Sequence, residues 1–191
     1  MSDAPGMHRR RSIRLPGYDY SRSGAYFVTI CVHQRECLYG EVNDGAVLLN
    51  DYGQIAQEEW HRTSRMRPTV QADEFVIMPN HVHGIISLTD DESGDATTRR
   101  GTMHRAPTGV PAVERFGKPT SNTVPTIIRG YKSIVTNRVN RLRGTPGRRV
   151  WQRNYYEHVI RDQADLSTIC HYIVDNPIRW EMDRYHPHRD D

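Results

Sequence analysis

The chain has 191 residues, a formal net charge of +3 and three cysteines, which bounds it to one well-filled core with at most a decorated loop. Cys31, Cys37 and Cys170 contain no CxxC pair, so neither a disulfide framework nor a zinc cluster is expected, and a reducing cytoplasm is the natural compartment. No run is long and apolar enough for a membrane span, and the first fourteen residues lack the apolar stretch of a signal peptide, which predicts a soluble cytoplasmic protein without a membrane partner.

Basic residues cluster. Arginine far outnumbers lysine and gathers at Arg9, Arg10, Arg11 and Arg14, at Arg99, Arg100 and Arg105, and at Arg148, Arg149 and Arg153. Guanidinium groups grip phosphate bidentately and stack on bases, so this distribution points to nucleic acid.

In chain order, residues 1–17 read as a basic tail, and residues 18–180 as one domain opened by a turn-rich stretch to Gly24. Ala25 to His33 is dense in β-branched and aromatic residues and predicts a central strand. A helix is expected from the N-cap Asn50 to about Met66, with Tyr52, Ile55, Ala56 and Trp60 at helical spacing. Val70 to Met78 reads as a second strand, and Pro79-Asn80 turns the chain into a third, expected to be its antiparallel neighbour.

That third strand carries His81-Val82-His83. Alternation places His81, His83, Ile85 and Ser87 on one face and Val82, Gly84, Ile86 and Leu88 on the other. The second face is wholly apolar and should pack on the core. The two imidazoles are then expected on the opposite, more open face, where they could hold a divalent cation.

From Thr89 to Asn122 the chain turns to Asp, Ser, Gly, Thr, Pro and Arg, which predicts a long exposed loop. Val124 to Arg143 returns to a helical period, with Pro125 in the first turn, Ile127, Tyr131, Ile134, Val135 and Leu142 on one side, and Arg129, Lys132, Ser133, Asn137 and Arg141 on the other. After the Gly144-Thr145-Pro146-Gly147 break, Val150 to Ile160 reads as a fourth strand. A helix from about Asp162 to Asn176 stops before Pro177, and residues 181–191 read as a polar tail. The order of elements predicts an α+β, ferredoxin-like or RRM-like βαββαβ sandwich with an antiparallel sheet, plus a C-terminal helix.

On the last helix, Leu166, Ile169, Cys170 and Ile173 form an apolar stripe, with Tyr172 at its edge and Asn176 near its middle. Tyr172 and Asn176 are an i, i+4 pair and therefore neighbours. Two imidazoles, an amide and a phenol suit the attack of a tyrosine oxygen on a metal-polarised DNA phosphate.

The segments Arg11 to Tyr20, Phe27-Val28-Thr29-Ile30-Cys31, Met78-Pro79-Asn80-His81-Val82-His83-Gly84, Val150 to His158 and Tyr172-Ile173-Val174-Asp175-Asn176-Pro177, taken in order, resemble the single-tyrosine HUH transposases with the insertion-sequence-200-like domain. Within these, they resemble most the REP-associated tyrosine transposases. The resemblance implies a transposase and endonuclease that cuts and rejoins single-stranded DNA at a short sequence beside REP-like hairpins, in the cytoplasm at the nucleoid, using Mg²⁺ or Mn²⁺. It implies His81 and His83 as metal ligands, Tyr172 as the nucleophile forming a 5′-phosphotyrosine, and Asn176 as the third protein ligand. The insertion-sequence branch commonly has glutamine at that last position, and asparagine is shorter by one methylene. Monomer and homodimer are both compatible with the resemblance, the dimer through active sites assembled in trans.

DNA contacts are expected from Arg10, Arg11 and Arg14, from Arg129 and Lys132, and from Arg148, Arg149 and Arg153, with Tyr18 and Tyr20 available to stack bases. Tyr155 and Tyr156 compete with Tyr172 as nucleophile but lack a paired ligand. Two other readings fit parts of the sequence: a non-catalytic RRM-like nucleic-acid-binding module, and a metal-dependent phosphodiesterase using water.

Overall fold

The computed structural model describes residues 22–89 and 122–187. Arg10, Arg11, Arg14, Tyr18 and Tyr20, and all but the two ends of the expected 89–122 loop, lie outside the described residues. The elements are β1 (Gly24–Cys31), β2 (Gly40–Asn43), β3 (Ala46–Leu49), α1 (Asp51–Arg65), β4 (Val70–Ile77), β5 (His81–Leu88), α2 (Val124–Leu142), β6 (Tyr156–Ile160) and α3 (Gln163–Asp175).

Each helix begins where a short polar side chain can satisfy the free amides of its first turn. Asn50 Oδ1 accepts from the Tyr52 and Gly53 amides at 3.0 Å each, Thr123 Oγ1 accepts from Thr126 N at 3.4 Å, and Asp162 Oδ1 accepts from Asp165 N at 2.8 Å.

The main sheet runs β4-β5-β1-β6 with every neighbouring pair antiparallel, the expected ferredoxin-like order once the β2–β3 hairpin is set aside. That hairpin was not foreseen from the sequence: its strands are only four residues each, too short for a clear alternation signal. The final strand begins at Tyr156 rather than Val150. Before it, the carbonyls of Gln152, Arg153 and Asn154 gather on the Lys132 ammonium at 2.6, 3.3 and 3.4 Å, and the regular ladder with β1 resumes only beyond them. Trp151 makes only an isolated bridge to Val32.

Alternation along β1 and β5 divides the interior in two. Tyr26, Val28, Ile30, Val82 and Ile86 face α1 and α2 in the larger core. Gly84 belongs to that side, and a Cβ there would lie 2.2 Å from Trp60 Cζ2; its missing side chain lets the buried indole lie against the strand. On the other face, Phe27 and Ile85 meet Ile169 and Ile173 of α3, with Leu166 and Cys170 at the edge. The helix stripe predicted from spacing is therefore the surface that docks α3 over the histidine face.

Candidate active site

His81 and His83 share one face as expected, but that face is not open. Both are fully buried, at 0% exposure. The cover has two parts: α3, held by its apolar stripe, and the segment after it, where Trp180, Asp183 and Tyr185 are each 8% exposed. The stretch beyond residue 180, expected as a polar tail, thus begins with a 3-10 turn (Trp180–Met182) and folds back onto the site. The Tyr185 ring lies 4.7 Å from His81 and 6.0 Å from His83, centroid to centroid.

The hydrogen bonds around the imidazoles fix which nitrogen is bare. Asn80 Nδ2 donates to Tyr185 O at 2.6 Å and to Arg35 O at 3.2 Å, which leaves Asn80 Oδ1 as an acceptor toward His81 Nδ1 at 2.8 Å. His81 must therefore carry its proton on Nδ1 and present a lone pair on Nε2. His83 Nδ1 is held by Thr29 Oγ1 at 2.8 Å, and its Nε2 accepts from the Tyr172 hydroxyl at 3.1 Å. Burial lowers both imidazole pKa values, that of His81 to about 4 and that of His83 well below its usual range. Both rings are neutral at pH 7, the form in which imidazole binds metal.

Asn176 caps the C-terminal end of α3 and is 2% exposed. Its Nδ2 donates to Asp183 Oδ2 at 3.1 Å, while Asp183 Oδ1 accepts from Tyr185 N at 2.6 Å. Asn176 Oδ1 is thereby turned into the site. His81 Nε2 and Asn176 Oδ1 are both buried without a hydrogen-bond partner, a costly arrangement unless another group completes it.

Ligand atoms of His81, His83 and Asp183 lie within 4.8 Å of one another, a spread slightly wider than two metal–ligand bonds of about 2.2 Å laid end to end. Two neutral imidazoles, a carboxylate and an unpaired amide oxygen fit a divalent cation, and imidazole with oxygen donors suits Mn²⁺ at least as well as Mg²⁺. Sequence reasoning missed Asp183. Its signal was faint, a lone acid within an apparent tail. Thr29 and Asn80, which orient the histidines, were not singled out either, although the antiparallel register pairs Thr29 with His83.

Tyr172 is 38% exposed, with its ring edge-on to Phe27 at 6.1 Å and to His83 at 5.1 Å. Its pKa is raised to about 12, chiefly by burial and then by the Asp183 carboxylate, with the Arg184 cation opposing both. The phenol is protonated at neutral pH. Tyr156 pairs with Thr29 across the sheet and is 44% exposed, so this competing tyrosine stands on the same face, but α3 sets only Tyr172 against a histidine.

The expected DNA-binding residues among those described fall elsewhere. Arg129, Arg148, Arg149 and Arg153 are exposed. Arg148, Arg149 and Arg153 line a groove of about 370 Å³ between the 147–153 segment and α2, together with Ser133 and Asn137. Lys132 also reaches this groove, but its ammonium is spent on three carbonyls.

No protein-family model matches the chain. An uncharacterised protein of Haemophilus influenzae is 41% identical over 179 residues, covering 94% of both chains. A second protein of that organism, assigned by inference as a REP-associated tyrosine transposase, is 23% identical over 161 residues, covering 84% of this chain and 74% of its own. Among solved structures, that of a REP-associated tyrosine transposase bound to a REP hairpin matches with a TM-score of 0.56 at 17% identity, covering 90% of this chain and 76% of the other. The fold is that of a tyrosine transposase. The chain forms one family with the first H. influenzae protein; with the REP-associated tyrosine transposases it shares the fold and a distant sequence likeness. Similarity to them supports a transposase-family function.

Proposed function

We propose that the protein cleaves and rejoins single-stranded DNA beside hairpins, with Tyr172 as nucleophile. The observation that carries this reading is the approach of the Tyr172 hydroxyl to 3.1 Å from His83 Nε2, beside the unpartnered His81 Nε2 and Asn176 Oδ1. The phenol hydroxyl and the candidate metal-ligand atoms lie together on the histidine face of β5.

Mg²⁺ or Mn²⁺ would be held by His81, His83 and Asp183, with Asn176 Oδ1 as a further ligand; when bound it would polarise the scissile phosphate and favour the ionised phenol. In the cleavage step the Tyr172 Oη–P bond forms and the P–O3′ bond breaks. The phenol proton is lost, and the departing 3′ oxygen gains one. The product is a 5′-phosphotyrosine and a free 3′-hydroxyl, and reversal by another 3′-hydroxyl rejoins the strand. Thr29 and Asn80 act by holding the imidazoles. Phe27 positions the phenol ring, which it meets edge-on.

The solved transposase is bound to a REP hairpin, which supports a hairpin substrate here. The exposed Arg148, Arg149 and Arg153 groove offers cations to its backbone. A water nucleophile would cleave without trapping protein, and a pure binding module would do neither. Incubation with labelled single-stranded hairpin oligonucleotides and Mn²⁺ should therefore give a denaturation-resistant protein–DNA species, abolished by chelation and by Tyr172→Phe. Equal cleavage by Tyr172→Phe would overturn the assignment.

A further inference from the structure

Two arginines outside the expected DNA-binding set converge on the site. The Arg184 guanidinium lies 4.7 Å and that of Arg35 lies 5.5 Å from the centroid of the Tyr185 ring, the same ring that packs on His81. Arg184 is exposed and Arg35 half-buried, and neither has a carboxylate at ion-pair distance among the described residues. Arg62, Arg138, Arg148 and Arg179, by contrast, each do.

Their placement is enforced. Gln34 and Arg35 both adopt the left-handed backbone conformation, at φ 56° and 57°, which L-residues with side chains occupy only when surrounding contacts demand it. Arg35 Nη1 donates to Arg184 O at 3.2 Å. Asn80 binds the carbonyls of both Arg35 and Tyr185, so the residue that sets the His81 tautomer also ties the two arginine-bearing segments together. Arg184 spends one donor on the Tyr185 hydroxyl, and each guanidinium has further N–H groups in a planar fork.

We propose that Arg35 and Arg184 form a paired phosphate clamp that receives the backbone of the DNA strand entering the Tyr172 site. This rests on the reading of the site as one for DNA and assigns the entering strand its anchor. The clamp acts on bound strand rather than on the metal. Binding can therefore be read without cleavage.

The test is the affinity of the full chain for a fluorescein-labelled single-stranded hairpin oligonucleotide in EDTA, measured across a salt series. Arg35→Gln and Arg184→Gln should each weaken binding about tenfold and lower the salt slope by about 0.7, the value for one lost phosphate contact on a single strand. Arg35→Lys and Arg184→Lys should keep the slope, because the charge remains. Arg65→Gln, an exposed charge at the end of α1, should change neither by more than about twofold. Thermal unfolding and Mn²⁺ titration report whether each variant keeps its fold and metal site; if Arg184→Gln loses its fold, Arg35→Gln carries the test. Unchanged binding by the Gln variants, or equal weakening by Lys and Gln, overturns the clamp and leaves the proposed cleavage standing. Clamp-dependent binding by a protein that forms no adduct with Mn²⁺ overturns the proposed cleavage and leaves the clamp. A wild type that binds no oligonucleotide overturns both.

Discussion

At the scale of single residues, the orientation of one amide organises the site. Asn80 has both N–H bonds committed to backbone carbonyls, so its oxygen faces His81 and holds the proton on Nδ1. Replacing Asn80 with Ala removes that constraint and loosens the chain segments that it joins. Such orienting partners are typically worth about 10–100-fold in metal affinity, so calorimetric titration of Asn80→Ala with Mn²⁺ should show a loss in that range. An unchanged affinity would mean that the His81 tautomer is set elsewhere. Asp183 shows how a residue-scale feature escapes a linear reading. It lies three residues beyond the boundary assigned to the domain, and only the return of the chain after α3 brings it to the histidines.

At the scale of elements, β5 is shaped by what each face must accept. Its histidine face takes α3 and the returning C-terminal segment, while its opposite face takes Trp60 of α1. Gly84→Ala places a methyl 2.2 Å from the indole in a tightly packed core, and overpacking of this kind costs about 1–3 kcal/mol. A urea unfolding midpoint equal to that of the parent would contradict this packing.

The three helices and the strands β1, β4 and β5 were legible because their signals are local. The cap at Asn50, the period of α2 and the alternation of β5 all lie within a few residues of what they determine. The burial of His81 and His83 was not legible, since the alternation of β5 sorts faces but does not say what covers the second one. The start of β6 was missed for a similar reason. The stretch from Val150 carries Trp151, Tyr155 and Tyr156, which suit a strand, but regular pairing with β1 lapses across Gln152, Arg153 and Asn154, whose carbonyls gather on the Lys132 ammonium. Of the site, His81, His83, Tyr172 and Asn176 were singled out from the sequence, and the structure sets these side chains near one another on the histidine face of β5; their roles remain a proposal. The positions of Thr29, Asp183, Arg35 and Arg184 depend on strand pairing or on chain return.

At the scale of the whole molecule, a buried neutral histidine links stability to pH. Burial holds the folded-state pKa of His81 at about 4, against 6.5 for the free group. Between these values the unfolded chain binds the proton that the folded chain refuses. Stability is therefore full above pH 6.5 and falls as the pH drops toward 4. At about 1.4 kcal/mol per pH unit, His81 alone should cost the chelator-treated protein on the order of 2 kcal/mol between pH 7 and pH 5. The lowered pKa of His83 acts in the same direction. Urea titrations of the parent and of His81→Gln over this range check it: the parent should lose more stability than the variant, and parallel profiles would show that burial of His81 is not the cause.

The same molecular arrangement leaves two exposed tyrosines on one face of the sheet, Tyr172 from α3 and Tyr156 from β6, and only the first is set against His83. Mass-spectrometric mapping of the Mn²⁺-dependent protein–DNA species after nuclease and protease digestion tests that distinction most directly. The nucleotide mass should be found on the peptide containing Tyr172 and on no other. A modification on Tyr156 or Tyr155, or cleaved DNA with no modified peptide, would contradict the assignment of Tyr172 as nucleophile.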